Sequence, residues 1–259
     1  MTSIYNMDCH DFINEINDNS IDLVVTDPPY NMNKAEWDKF DSTDAFLEFT
    51  YRWIDDIIPK LKNTASIYIF NTPFNSAYIL QYLVKKGLIF QNWITWDKRD
   101  GIGASKRKYT HGQETILFFT VSKEYTFNFD EIRIPYESTD RIKAASKKGI
   151  IKNGKRWFPN EKGRLVGEVW HFSSARHKQK DHGKLIKFQH VTPKPLDLIE
   201  RIIKASSNEN DLVADPFVGS GTTGIAAKNL NRKFIINDFN KEYIELTKER
   251  IKNVDIPRN

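Results

Sequence analysis

The pattern of apolar and polar positions divides the chain into short strands and amphipathic helices. Ile21 to Thr26 reads Ile-Asp-Leu-Val-Val-Thr before Asp-Pro-Pro, which predicts a buried strand ending in a turn. Asp44 to Leu61 sets Phe46, Phe49, Trp53, Ile57 and Leu61 at helical spacing, with Ser42 or Asp44 as the cap. Strands are predicted at Ser66 to Phe70, Ile89 to Trp96 and Glu114 to Thr120, and a helix at Asn75 to Lys86 stopped by Gly87. The alternation resumes with a helix from Pro195 to Ser206, where Leu198, Ile199, Ile202 and Ile203 share a face. A strand at Asp211 to Phe217, a helix at Thr222 to Leu230, a strand at Lys233 to Asn237 and a helix at Lys241 to Lys252 complete it. Such alternation predicts an α/β fold with a mostly parallel, doubly wound sheet. Asn31 to Phe40 and Arg99 to Gly112 read as loops, and no internal repeat or low-complexity tract is visible.

Composition adds a division along the chain. The 259 residues are 39% hydrophobic and 13% aromatic, enough for a core and against wholesale disorder. The net charge of +5 is unevenly spread: Arg141 to His190 carries 14 Lys or Arg against 3 Asp or Glu, the remainder 25 against 31. An acidic protein therefore holds a basic insert. That insert also contains four of the six histidines together with Trp157, Phe158, Trp170 and Phe172, a mixture suited to a phosphate backbone and exposed bases. The histidine spacings fit no zinc pattern and no cysteine joins them, so no metal is expected. One cysteine, Cys9, excludes a disulfide framework and suggests a reducing compartment. Asp8, Asp11 and Glu15 stand where a signal peptide would be basic and then apolar, and no apolar stretch reaches the roughly 20 residues of a membrane helix. A soluble, cytoplasmic protein with no membrane partner is expected.

Two motifs carry chemistry. Asp215-Pro-Phe-Val-Gly219-Ser-Gly221-Thr-Thr-Gly224 lies between a strand and a helix and brings backbone close to a ligand at a helix N-terminus. Asp238, ending the next strand, is placed to bind ribose hydroxyls. Too little chain follows Gly224 to complete a sheet downstream, so the remaining strands must come from the N-terminal half. There, directly after the first predicted strand, stands Asp27-Pro28-Pro29-Tyr30, a tetrapeptide expected by chance about once per thousand chains of this length. Both motifs occupy carboxyl ends of strands, where α/β sheets bind ligands. Asp27 and the Pro28 carbonyl can accept both hydrogens of an exocyclic amine, because Pro29 has no N–H to consume the carbonyl locally. Tyr30 offers a flat face to a base. Accepting both hydrogens favours a pyramidal amine whose lone pair can attack an electrophilic methyl group.

These motifs, in this order, resemble the β class of DNA amino-methyltransferases, and the likeness covers nearly the whole chain. Within the class it is strong to short chains with a segment like Phe70-Asn-Thr-Pro-Phe-Asn75. The resemblance implies S-adenosylmethionine as methyl donor and a Rossmann-like methyltransferase sheet with one reversed edge strand. It implies that Phe217, Gly219 and Gly221 form the methionine-side wall and loop, with Asp215, Pro216, Ser220 and Thr222 beside them. It further places Asp238 and Phe239 at the ribose, and Asp8 and Cys9 near the adenine of the donor, with Asp27 facing the same pocket. His190-Val-Thr192-Pro-Lys194-Pro195 resembles the class's His-Pro-Thr-x-Lys-Pro, whose histidine and lysine lie near the methionine carboxylate; Val191 departs from it.

The residues also discriminate among targets. Methylation at cytosine C5 needs a thiolate nucleophile. Cys9 lies beside a cofactor acid instead, which argues against that route. Aspartate at position 27 favours N6 of adenine, with N4 of cytosine as the alternative. A base within a duplex must be flipped out, and the Asn31 to Phe40 loop with Trp37 could close over it. Residues 1–129 are then the catalytic half, 130–189 a target-recognition insert and 190–259 the cofactor-binding half. Lys106, Arg107, Lys108, Arg141, Lys143, Arg156, Arg176 and Lys178 are the expected DNA contacts. The resemblance adds a restriction-modification context with a cognate endonuclease, a homodimer, and an asymmetric adenine-rich site such as GAAGA. A nicotinamide-dependent dehydrogenase would leave Asp-Pro-Pro-Tyr unexplained, and a non-catalytic DNA-binding protein would leave both motifs so.

Overall fold

The computed structural model describes residues 2–102, 106–174, 178–181, 184–187 and 193–253. In chain order its elements are β1 (Ser3–Tyr5), α1 (Cys9–Asn14), β2 (Ile21–Thr26), α2 (Thr43–Ile57), β3 (Leu61–Asn71), α3 (Pro73–Lys85), β4 (Ile89–Ile102) and β5 (His111–Thr120). There follow α4 (Thr139–Lys148), β6 (Ile150–Lys152), β7 (Lys155–Trp157), β8 (Val169–His171), β9 (Lys178–Asp181) and β10 (Lys184–Lys187). The chain closes with α5 (Leu196–Ser206), β11 (Leu212–Asp215), α6 (Thr222–Asn229), β12 (Lys233–Asn237) and α7 (Lys241–Lys252).

The main sheet runs in the order β1-β12-β11-β2-β3-β5-β4-β8. Among the described residues one of its strands, β5, is reversed, pairing antiparallel with both β3 and β4. The reversed strand is as expected, but its place is corrected: β4 and β8 lie outside it, so it is not the edge. The connection from β4 to β5 is a hairpin, which obliges the second strand to turn back beside the first.

Alternation along each strand builds two apolar layers. Leu23 and Val25 of β2 face α5, α6 and α7, joining Ile199, Ile202, Ile225 and Ile244. Val24 faces the opposite way, joining Phe12 and Ile13 of α1, Trp53 and Ile57 of α2, and Ile79 of α3. Trp53 is fully buried. Ser42 caps α2 through Ala45 N–H, 3.1 Å away. Helix α2 ends at Ile57 rather than Leu61, because Pro59 cannot continue an α-helix and Leu61 already opens β3. Helix α3 starts earlier than predicted, with Thr72 as cap and Pro73 in the first turn, where its missing N–H costs nothing.

The predicted loop at residues 99–112 is shorter than expected, since Ile102 pairs with His111 and extends the hairpin past a bulge. Within 130–189, α4 and the β6–β7 hairpin stand out from the sheet, whereas β8 rejoins it beside β4. A bridge between Ile134 and Arg164 closes the base of the protruding part. Gly163 there has φ +105°, and a Cβ would lie 2.2 Å from the Ile134 carbonyl oxygen, so only glycine fits. Arg201 of α5 stacks on Phe172 and Trp170 at 4.4 and 5.2 Å, fastening the returning chain. Among the described residues no helix is long and apolar enough to cross a membrane.

The centre of the sheet is tied by one carboxylate. Asp215, at the end of β11, accepts from Thr26 Oγ1 of β2 at 2.9 Å, Thr223 Oγ1 of α6 at 2.7 Å and its own loop's Phe217 N–H at 3.1 Å. Burial nonetheless pushes its carboxyl up to about 7. The folded state thus retains this proton above the ordinary carboxylate range. Its stabilising contribution is complete below the unfolded-state value of 3.8 and is lost as pH rises through about 7. Asp215→Asn removes that dependence. In urea unfolding at pH 5, 6, 7 and 8, the stability of the native chain relative to the variant should fall from pH 5 to 7 and level off by pH 8; a constant difference would place Asp215 in the ordinary range.

Candidate active site

The carboxyl ends of β2, β11 and β12 open into one pocket, whose wall includes Asp27 to Tyr30, Asp215 to Ser220, Asp238 and Asp8. The loop leaving β2 is held from below. Asp38, 1% exposed, accepts backbone N–H bonds from Tyr30 at 2.6 Å, Asn31 at 2.8 Å, Met32 at 3.0 Å and Lys34 at 3.2 Å. Asn31 and Asn33 take left-handed φ of 57° and 56°, so the chain can curl around that carboxylate. Asn75 of α3 donates to the Tyr30 carbonyl at 2.8 Å. The loop expected to act as a lid is therefore anchored, with Lys34 and Trp37 among the residues lining the pocket.

Four charged side chains and one phenol converge beside it. Lys194 Nζ pairs with Asp27 Oδ2 and lies 3.5 Å from Glu114 Oε2. Lys98 Nζ pairs with Glu114 Oε1. The Tyr30 hydroxyl lies 2.6 Å from Asp27 Oδ1 and 3.2 Å from Glu114 Oε2. Two carboxylates and two ammonium groups thus share a nearly dry space, Glu114 being 7% and Lys194 8% exposed at the side chain. Burial raises the Asp27 carboxyl against the pull of Lys194. Burial also acts to raise Glu114, but Lys194 and Lys98 outweigh it and hold that carboxyl below its ordinary value. Lys194 shows the mirror balance: burial works to lower it, and Asp27 and Glu114 leave it raised. The Tyr30 hydroxyl is pushed well up by burial and then by both carboxylates, so it remains a proton donor.

The glycine loop supplies the other half. Val218 and Gly219 lie between β11 and α6, and Asp238 accepts from Gly219 N–H and Asn240 N–H, each at 2.8 Å. Gly221 caps α6 at φ +84°; a Cβ there would come within 2.6 Å of Thr247 Oγ1, which leaves no room for a side chain. Asn237 joins the loop to the N-terminus, donating to the Met7 carbonyl at 3.1 Å and the Pro216 carbonyl at 3.3 Å. The pocket therefore has a side bearing the Asp8 and Asp238 carboxylates and a side where a flat amine-bearing ring could lie against Tyr30.

The structure brings together Asp8, Cys9, Asp27, Pro28, Pro29, Tyr30, Lys194, Asp215, Pro216, Phe217, Gly219, Ser220, Thr222, Asp238 and Phe239 around this pocket, and Gly221 sits in the same loop. Asp215 is engaged inward by its three donors, and Phe217 packs its ring against Trp53 at 5.7 Å. Phe239 is 76% exposed at the rim. The Cys9 thiol is pushed up to about 12 by burial and by Asp8, which makes it a poor source of thiolate. His190, Thr192 and Arg176 lie outside the described residues, as does the side chain of Lys178. Lys106, Arg107 and Lys108 are exposed between β4 and β5, Arg141 and Lys143 on α4, and Arg156 on β7, whose guanidinium also donates to the Lys148 carbonyl. These basic groups are not part of the pocket wall.

Sequence reasoning missed Glu114, Lys98, Asp38 and Asn75. Glu114 had one signal, an acid opening the apolar run Thr-Ile-Leu-Phe-Phe of a strand that is otherwise buried. Besides the flat face read from the sequence, Tyr30 brings a hydroxyl that donates to carboxylates of Asp27 and Glu114.

The DNA methylase family model (N6_N4_Mtase) matches residues 21–249, a span that includes both motifs. Type II methyltransferase M1.MboII of Moraxella bovis is 65% identical over 244 residues, covering 94% of this chain and 94% of that one. DNA adenine methyltransferase YhdJ of Escherichia coli (strain K12) is 33% identical over 242 residues, covering 90% of this chain and 76% of its own. Among solved structures, the M1.HpyAVI–SAM complex superposes with a TM-score of 0.62 at 27% identity, covering 96% of this chain and 100% of the other. With both motifs inside the matched span and in one pocket of the fold, the chain belongs to the DNA methylase family.

Proposed function

We propose that this DNA methyltransferase moves a methyl group from S-adenosylmethionine to N6 of an adenine flipped out of duplex DNA. One observation carries the reading: the Asp27 carboxylate and the Tyr30 ring face the same pocket as the glycine loop and Asp238. Aspartate at position 27 and the likeness to a relative named as an adenine methyltransferase support adenine over cytosine.

The residues suit the donor. Asp238, steadied by two backbone amides, presents a carboxylate to ribose hydroxyls, and Asp8 lies on the same wall. The acids also suit a sulfonium cation. When bound, the donor supplies an electrophilic methyl group. On the opposite side Asp27 and the Pro28 carbonyl accept the two amine hydrogens, and Tyr30 supports the ring. With the donor bound, the amine nitrogen would bond to the methyl carbon as the carbon–sulfur bond gives its electron pair to sulfur, and Asp27 would take the surplus proton and pass it to solvent. Exclusion of water by the bound base and donor would strengthen each of these contacts.

The exposed basic residues of α4, β7 and the β4–β5 connection, with the remainder of 130–189, would hold the phosphates and read base edges. Flipping costs a few kcal/mol, which stacking on Tyr30 would partly offset. The proposal extends to a cytoplasmic modification enzyme paired with a restriction endonuclease, acting as a homodimer, on family resemblance.

Asp27→Ala should lower single-turnover methyl transfer by about 100-fold or more while leaving donor affinity within about threefold, since the lost contact is made to the reacting amine. An active variant would refute the assignment. Tyr30→Ala should lose more rate than Tyr30→Phe; equal losses would leave the ring without a role. Replacing Lys106, Arg107 and Lys108, or Arg141 and Lys143, should flatten the slope of log Kd against log salt by about 0.9 for each phosphate contact removed. An unchanged slope would place the DNA elsewhere. Methylation-sensitive sequencing of DNA from a host expressing the chain reads base and site together, and methylcytosine there would overturn the adenine reading.

A further inference from the structure

Asp27 has both oxygens engaged before any substrate arrives: Oδ1 by the Tyr30 hydroxyl at 2.6 Å and Oδ2 by the Lys194 ammonium. The same two donors reach one oxygen of Glu114, at 3.2 Å from Tyr30 and 3.5 Å from Lys194. Glu114 sits on β5, antiparallel to β4, and Lys98 of β4 holds its other oxygen. A second carboxylate thus stands within reach of every donor that Asp27 now holds. A shift of less than about 1 Å would carry either donor to an ordinary hydrogen-bond length from Glu114.

We infer that Glu114 is a positioning residue of the methyl transfer, accepting the Tyr30 hydroxyl and the Lys194 ammonium from Asp27 as the target amine takes their place. The inference rests on the proposed reading of Asp27 as the amine's acceptor. It explains why a second buried carboxylate is present where one suffices to meet the base. Without Glu114, the entering amine would have to displace an ammonium and a phenol with the nearby carboxylate that now reaches both of them gone, which is unfavourable for buried polar groups. With it, the exchange conserves hydrogen bonds and net charge. Lys98 keeps Glu114 ionised throughout, and the charge state follows: burial leaves the Asp27 carboxyl raised, while the two lysines leave that of Glu114 lowered. Glu114 is therefore the carboxyl held ionised, with an oxygen already within 3.5 Å of both donors.

The test is Glu114→Gln, measured by single-turnover transfer and by equilibrium binding. Binding compares duplexes bearing adenine or purine, which lacks the 6-amino group, at the methylated position. The variant should lose about 100-fold in rate, the usual scale for a preorganised electrostatic partner. Its preference for adenine over purine should shrink toward unity, with donor affinity within about threefold of the native chain. Adding Tyr30→Phe to Glu114→Gln should recover part of the rate, because one stranded donor has been removed; a merely structural role would make the double variant slower. Glu114→Asp, which keeps the charge but draws it back by one methylene, reads the same quantities if the glutamine variant does not fold, and should fall between it and the native chain. A native rate, an undiminished adenine preference or a double variant no faster than Glu114→Gln would overturn the exchange. If the native chain itself leaves adenine unmethylated, the functional reading fails along with it; an active native chain with an unaltered Glu114 variant refutes the exchange alone.

Discussion

The parallel pairing of β2 with β11 is the constraint from which the rest of the site follows. Leu23 lies opposite Val213 and Val24 opposite Ala214, joining segments nearly two hundred residues apart. Thr26 and Asp215 then share a hydrogen bond where both strands end. Asp22 reinforces the pairing from the other end, accepting from Leu212 N–H at 2.9 Å and pairing with Lys62 of β3. Because parallel neighbours end on the same side, Asp-Pro-Pro-Tyr and the glycine loop must emerge together. The two motifs are thus brought into one pocket by sheet topology, with no dedicated linker between them.

The chemistry placed there would be unstable if each charge stood alone. A single buried carboxylate or ammonium carries a desolvation penalty of several kcal/mol, and removing one partner of a buried pair is typically worse than never having built it. Asp27, Glu114, Lys98 and Lys194 meet this condition as a set of two anions and two cations, with Tyr30 as a neutral donor between them. The loop beneath is organised by the same logic. Asp38 satisfies four amides that a tight turn with two left-handed asparagines would otherwise leave without partners. The backbone that carries Asp27 and Tyr30 is consequently held by Asp38 and Asn75, leaving their side-chain partners to exchange on a fixed frame.

What could be read in advance divides along physical lines. Periodic segments with caps or stops, such as β2, β12 and α7, match their predicted bounds, because burial on one face and a defined end coincide there. Boundaries failed where a tertiary contact overrides local pattern, as when the hairpin extends β4 and β5 into a stretch rich in glycine and lysine. Strand β1 and helix α1 are too short to show a period, and they form because Asn237 and the β12 edge receive them. The two motifs were legible since local turn chemistry betrays them. Glu114, Lys98 and Lys194 meet only through the antiparallel insertion of β5, so their partnership has no signature at any fixed spacing.

The uneven charge along the chain acquires a physical meaning from this arrangement. The pocket concentrates carboxylates, Asp8, Asp27, Glu114 and Asp238, around a site that is to receive a cationic donor and an uncharged base. Basic side chains lie off the pocket wall, exposed on α4, β7 and the β4–β5 connection. Were those lysines and arginines nearer, they would bind the carboxylates and compete with the amine for Asp27; were the acids nearer the DNA, they would repel phosphate. Separation by more than a Debye length, about 8 Å in physiological salt, would let each set act on its own ligand. Lys34 and Lys194 are the lysines on the pocket wall, and Lys194 is matched there to Asp27 and Glu114. The acid-rich pocket and the exposed basic surface therefore occupy different parts of the fold, so under the proposed function a polyanion on that surface and a base meeting Asp27 would not compete for the same cations.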